Sequence, residues 1–127
     1  MYEQALAADV YRQSADSVAT AKSAEYQVFA RVTARLVAIR GKRRPFGKYA
    51  EALYDNVRMW TALAADVSTA GNKLPPELRS KIFYLFEFTR AHSEKVLHGG
   101  ASIDALIDIN TLVMRGLRGT APQTEAA

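Results

Sequence analysis

An all-α fold, a single-domain antiparallel bundle of about five helices, follows from three features of the 127-residue sequence. Apolar residues recur at spacings of three and four through most of the chain, which is the helical period. The Gly- and Pro-bearing breaks between these stretches are short, so consecutive helices must run antiparallel. With 49% hydrophobic residues, one domain of this length buries a core of its own. The bundle is assigned to residues 1–118 and a flexible tail to 119–127, where Thr, Pro, Gln and Ala carry no apolar periodicity.

Residues 2 to about 20 place Tyr2, Leu6, Val10 and Tyr11 at helical spacing among alanines, which predicts a first helix. Ser, Asp and Thr between Ser14 and Thr20 supply caps for the next one. From Ala21 to Arg40, the residues Tyr26, Phe29, Val32, Thr33, Leu36 and Val37 form a stripe that Val28 and Ile39 broaden, closed by Gly41. The segment Gly41-Lys42-Arg43-Arg44-Pro45-Phe46-Gly47 reads as a loop. A third helix follows from about Lys48 to Thr69, with Tyr49, Leu53, Asn56, Val57, Trp60, Leu63, Ala64 and Val67 in line. Ala70-Gly71-Asn72 then supplies a left-handed terminus or a turn.

The fourth helix, Leu74 to Leu97, concentrates more apolar bulk than any other segment, in the run Ile82-Phe83-Tyr84-Leu85-Phe86-Glu87-Phe88. Proline in its first turn and Glu77 near the positive end of the dipole mark its start, and Gly99-Gly100 its end. At about 100° per residue, Leu78, Ile82, Leu85, Phe86, Thr89, Ser93 and Val96 share one face, the expected core face. The opposite strip holds Arg79, Glu87, Arg90 and Glu94 but also Phe83, with Tyr84 and Phe88 along its edge. A helix that is apolar nearly all round is either wrapped by neighbours or offers a second apolar surface to a partner. Burying one such ring is worth about 1.5 to 3 kcal/mol, so Phe83, Tyr84 and Phe88 are the candidate partner-binding residues.

Beyond the glycines, Ser102 is a credible N-cap with Asp104 in the first turn, and Ile103, Leu106, Ile107, Asn110, Val113 and Leu117 make the last stripe. Asn56 and Asn110 interrupt two otherwise apolar stripes. A buried amide without partners costs roughly 1 to 3 kcal/mol. Each therefore needs a neighbour, either the other asparagine or free backbone groups across the bundle, and fixes register as buried asparagines do in coiled coils.

Catalytic and metal chemistry is not visible. Cysteine is absent, which removes disulfides and thiolate sites. The only histidines, His92 and His98, lie about 240° apart on a helical wheel and cannot form a metal pair; His92 reads as a structural histidine with a satisfied ring. No phosphate loop is present, since the Gly41 and Gly99 segments lack its spacing. The expectation is a non-enzyme with no cofactor and no metal. Neither a positively charged secretory start nor a membrane-spanning run occurs, which predicts a cytoplasmic protein without membrane insertion.

The net charge of +4 is unevenly spread. Arg31, Arg35, Arg40, Lys42, Arg43, Arg44 and Lys48 form a run without an acid, leaving 10 basic against 13 acidic residues elsewhere. Arg40, Lys42, Arg43, Arg44 and Lys48 are the candidate nucleic-acid contacts, set against a solvated loop that keeps the chain soluble. Phe46 alone is too little for a stacking platform.

The run Ala52-Leu53, Asn56, Met59-Trp60-Thr61, then Asn72, Leu74-Pro75, Leu78-Arg79, then Ile109-Asn110 and Gly116-Leu117 resembles the FlaF family, the flagellin-synthesis regulators of alphaproteobacteria. The match runs from about Ala50 to Leu117, and Tyr2 and Ala5 sit where the family's N-terminal motif has a Tyr and an Ala. Residues 12–49 match in helical character only, which gives the basic loop no role by resemblance. The resemblance implies a cytoplasmic flagellum assembly factor without enzymatic activity. It would act on flagellin as a secretion chaperone or adaptor and positively regulate flagellin synthesis, alongside other flagellar regulators. The alternative is a post-transcriptional regulator that touches flagellin messenger RNA through the 40–48 loop.

Overall fold

Short turns and strong local capping set the order of the helices. The structure is a computed structural model that describes residues 24–119, with side chains to residue 116. Four helices lie among the described residues: α1 over 24–39, α2 over Phe46–Val67, α3 over Pro76–Leu97 and α4 over Asp104–Gly119. The helix expected over residues 2–20, the motif residues Tyr2 and Ala5, and the tail from residue 120 fall outside them. The 41–47 loop is shorter than its glycines suggest, because α2 already starts at Phe46 behind Pro45.

Each connection shows its chemistry. Gly41 closes α1 at φ 76°, a left-handed conformation that favours glycine. Between α2 and α3, Gly71 is not left-handed, and side chains build the turn instead. Ser68 Oγ and Thr69 Oγ1 donate to the carbonyls of Ala65 and Asp66, both at 2.8 Å. Asn72 Nδ2 donates to Asp66 O at 3.3 Å while its Oδ1 accepts from the Leu74 N–H at 3.0 Å. After α3, Gly99 at φ 83° returns its N–H to Val96 O, and Gly100 returns its own to Lys95 O. That pair of bonds is a Schellman motif. Ser102 Oγ accepts from the Asp104 N–H at 3.1 Å, the expected cap of α4.

The helices alternate in direction. Phe29 meets Trp60 edge-on and Arg35 pairs with Asp55, so α1 and α2 are antiparallel. Tyr49 at the start of α2 donates to the Val96 carbonyl at the end of α3; Thr33 of α1 meets Asn110 of α4, and Arg40, just past the end of α1, meets Asp104. The core gathers Leu36, Tyr49, Ala52, Leu53, Val96, Ile103, Leu106 and Ile107. Val37, expected in the α1 stripe, is exposed, and the buried stripe is Phe29, Val32, Thr33 and Leu36.

The core face expected for α3 needs correction along its length. Thr89, Ser93 and Val96 are buried, but Ile82, Leu85 and Phe86 are half-buried and Leu78 is 42% exposed. Between the two helices α2 and α4, α3 leans on α2 far more than on α4. The best-buried centre of the bundle is α2, whose Trp60 and Asn56 have no exposed surface.

Candidate partner-binding surface

A polar network at the centre of the bundle fixes what the surface can present. Trp60 Nε1 can only donate, so the Asn110 atom facing it at 2.9 Å is the carbonyl oxygen. The Asn110 amide therefore points the other way, donating to Asn56 Oδ1 at 2.8 Å and to Thr33 Oγ1 at 3.0 Å. The two asparagines do bond each other, and three helices are pinned in register around them. Sequence periodicity could place Thr33 on the stripe but could not reveal it as the third acceptor. Asn56 Nδ2, Thr89 Oγ1 and Ser93 Oγ are buried without a partner among the described residues.

Most of the motif residues are thereby accounted for structurally. Asn56, Trp60 and Asn110 form the network, Asn72 builds the turn, and Pro75 is the N-cap residue of α3. Leu74 and Ile109 are half-buried. Leu78 and Gly116 are exposed, with open space around Gly116; Leu117 lies in α4. Arg79 stands apart, half-buried with its Nε desolvated and unpaired among the described residues.

The candidate aromatic residues all reach solvent, Phe83 at 38%, Tyr84 at 69% and Phe88 at 37% exposure. They do not form one patch. Phe83 joins Val67, Ser68, Pro76, Arg79 and Ser80 around an open cavity of about 340 Å³ beside the α2–α3 turn. Phe88, about 140° further round the helix, stacks on His92 at 5.1 Å between centroids. His92 Nε2 lies 2.8 Å from the Ser102 carbonyl, which can only accept, so that nitrogen carries the proton. Phe88 thus faces the α3–α4 connection, and Tyr84 stands on the outer surface between the two. A second, smaller cavity of about 160 Å³ lies further along the α2–α3 seam, walled by Leu53, Tyr54, Val57, Arg90, Ser93 and Leu97, among others.

The basic loop divides into structural and solvent-facing cations. Arg40 pairs with Asp104 at 3.1 Å across the start of α4. Arg43 turns inward: its guanidinium donates to the carbonyls of Val96 at 3.2 Å and Leu97 at 3.0 Å, and to Tyr49 Oη at 3.3 Å. It also lies over the Tyr49 ring at 4.9 Å. A side-chain cation on the last carbonyls of a helix satisfies orphan acceptors and the negative end of the dipole together. Arg43 is therefore a C-cap for α3, a role that no local sequence pattern announces. Lys42, Arg44 and Lys48 are exposed and have no partner among the described residues. Only these three of the five candidate nucleic-acid contacts are uncommitted.

No group of three or more metal-ligating side chains occurs among the described residues, and no described helix is long and apolar enough to cross a membrane. Together these features define a small all-helical protein whose distinctive exposed chemistry is surface, with rings and grooves along one helix. The chain belongs to the FlaF family: the model for flagellar protein FlaF matches residues 7–117. No curated protein and no solved structure matches it.

Proposed function

We propose that this flagellar protein is a non-enzymatic, cytoplasmic binding factor for flagellin, holding a flagellin segment as a secretion chaperone or adaptor and thereby supporting flagellin synthesis. The observation that carries the reading is the exposure of Phe83, Tyr84 and Phe88 on α3. Large rings left in water are costly unless a partner covers them, and an amphipathic helix laid into an apolar groove is a common way of covering them. Family membership supplies the flagellar setting.

The test is capture of purified monomeric flagellin by the wild-type chain and by a Phe83→Ala/Tyr84→Ala/Phe88→Ala variant, at low and at high salt. The reading expects binding that the triple variant loses and that salt leaves nearly unchanged. Retention of affinity by the triple variant rejects the aromatic surface. Steep loss with salt, together with loss on neutralising Lys42, Arg44 and Lys48, would instead favour phosphate contacts and the messenger-RNA alternative.

A further inference from the structure

The two cavities follow one another along the groove between α2 and α3. In the antiparallel pair, Ala50, Tyr54 and Val57 of α2 line one cavity with Arg90, Ser93, Glu94 and Leu97 of α3, while Val67 and Ser68 line the other with Pro76, Arg79 and Ser80. The residues on α3 that line them, from Pro76 through Arg79 and Phe83 to Arg90 and Leu97, fall on one strip at helical spacing. From Leu97 to Pro76 that strip spans about 30 Å at 1.5 Å per residue, long enough for several turns of a docked helix.

The groove has an electrostatic sense at one end only. Near Tyr54, Arg90 is offset by Glu94, whose carboxylate is itself 3.6 Å from His98. Around Phe83 the lining is Val67, Ser68, Pro76, Arg79 and Ser80, with one cation and no acid. Arg79 Nε is already out of water and has no partner among the described residues. Arg79, the one cation lining this cavity, is matched by a carboxylate, which accepts in the fork geometry that arginine offers.

We infer that the α2–α3 groove is the docking site for a helical segment of the partner, its apolar stripe lying on Tyr54, Val57, Val67 and Phe83 and one carboxylate meeting Arg79. This rests on the flagellin-binding proposal and narrows it: of the three candidate rings on α3 only Phe83 belongs to the groove, and Tyr84 and Phe88 lie outside it.

The affinity of purified monomeric flagellin for single variants, with circular dichroism to confirm folding, separates the two ideas. Arg79→Glu and Phe83→Ala should each weaken binding about tenfold or more, and Tyr54→Ala several-fold, in keeping with anchors at the centre of an interface. Tyr84→Ala and Phe88→Ala should change it less than about twofold, as contacts outside an interface do. Arg79→Lys should recover part of the loss, as a point charge replaces a fork. If wild type binds flagellin but the losses fall on Tyr84 and Phe88, the groove is wrong and flagellin binding stands. If wild type does not bind flagellin, both fall. If light scattering shows that the chain dimerises and Tyr54→Arg abolishes the dimer, a second copy occupies the groove and the inference is overturned.

Discussion

The two halves of α3 are inverted with respect to their composition. Its C-terminal half carries small and polar residues, yet Thr89, Ser93 and Val96 are among the buried residues of the molecule. Its N-terminal half carries the greatest apolar bulk, yet Leu78, Phe83 and Tyr84 are exposed and Ile82, Leu85 and Phe86 only half-covered. The contrast shows that apolar content measures what a segment could bury, whereas burial depends on which neighbours reach it. The C-terminal half is held by Arg43, Tyr49 and the Schellman turn. In the N-terminal half, Phe83 faces an open cavity beside α2.

The largest expected effect concerns the centre on which the buried half depends. Asn110→Leu strands the Trp60 indole N–H and removes a donor from both Asn56 and Thr33, so unfolding in urea should show a loss of about 3 to 5 kcal/mol. Asn56→Leu should cost less, about 1 to 2 kcal/mol, because it also removes an amide that is already unpaired. A larger loss from Asn56→Leu than from Asn110→Leu would mean that the hydrogen bonds are wrongly oriented.

Arg43→Ala tests whether the loop holds the C-terminal half of α3 in place. Loss of the bonds to Val96 and Leu97 and of the contact with the Tyr49 ring should cost about 1 to 2 kcal/mol by chemical denaturation. Hydrogen exchange at the last turn of α3 should accelerate with it. Arg44→Ala, a neighbour that faces water, should change stability by less than about 0.5 kcal/mol, the usual scale for surface sites. Equal effects from the two substitutions would remove the distinction between structural and solvent-facing cations.

The smallest effect sharpens the comparison most. Thr89→Val replaces a buried, unpaired hydroxyl by a methyl of the same shape, so thermal unfolding should show unchanged stability or a gain of up to about 1 kcal/mol. A clear loss would show that the hydroxyl has a hydrogen-bond partner after all. The buried half of α3 would then be a polar seam rather than a close-packed one.

Much of this was legible locally. The breaks at Gly41, Pro75 and Gly99 and the cap at Ser102 follow from caps, turns and the helical period, which are fixed by bonds between residues a few positions apart. That Asn56 and Asn110 need partners was legible too, but their choice of each other over backbone groups was not, since they stand 54 positions apart. The loop 41–47 was legible in kind but not in extent, because Pro45 can precede a helix as readily as interrupt one. Arg43 looked like a surface cation beside Arg44, and nothing within either residue's neighbourhood in the chain distinguishes them. Their difference lies in Val96 and Leu97, more than fifty positions away.

By itself, then, the sequence determined an all-helical chain, the limits of its later helices, the amides that set their register and the surplus of rings on α3. Only the tertiary structure decided which of those rings stay in water, that Phe83 borders the α2–α3 cavity while Phe88 stacks on His92 beside the α3–α4 connection, and that Arg43 is a cap. The physical reason is one of range. Helices are closed by hydrogen bonds four residues apart, whereas the covering of a face requires another helix to arrive from a distant part of the chain.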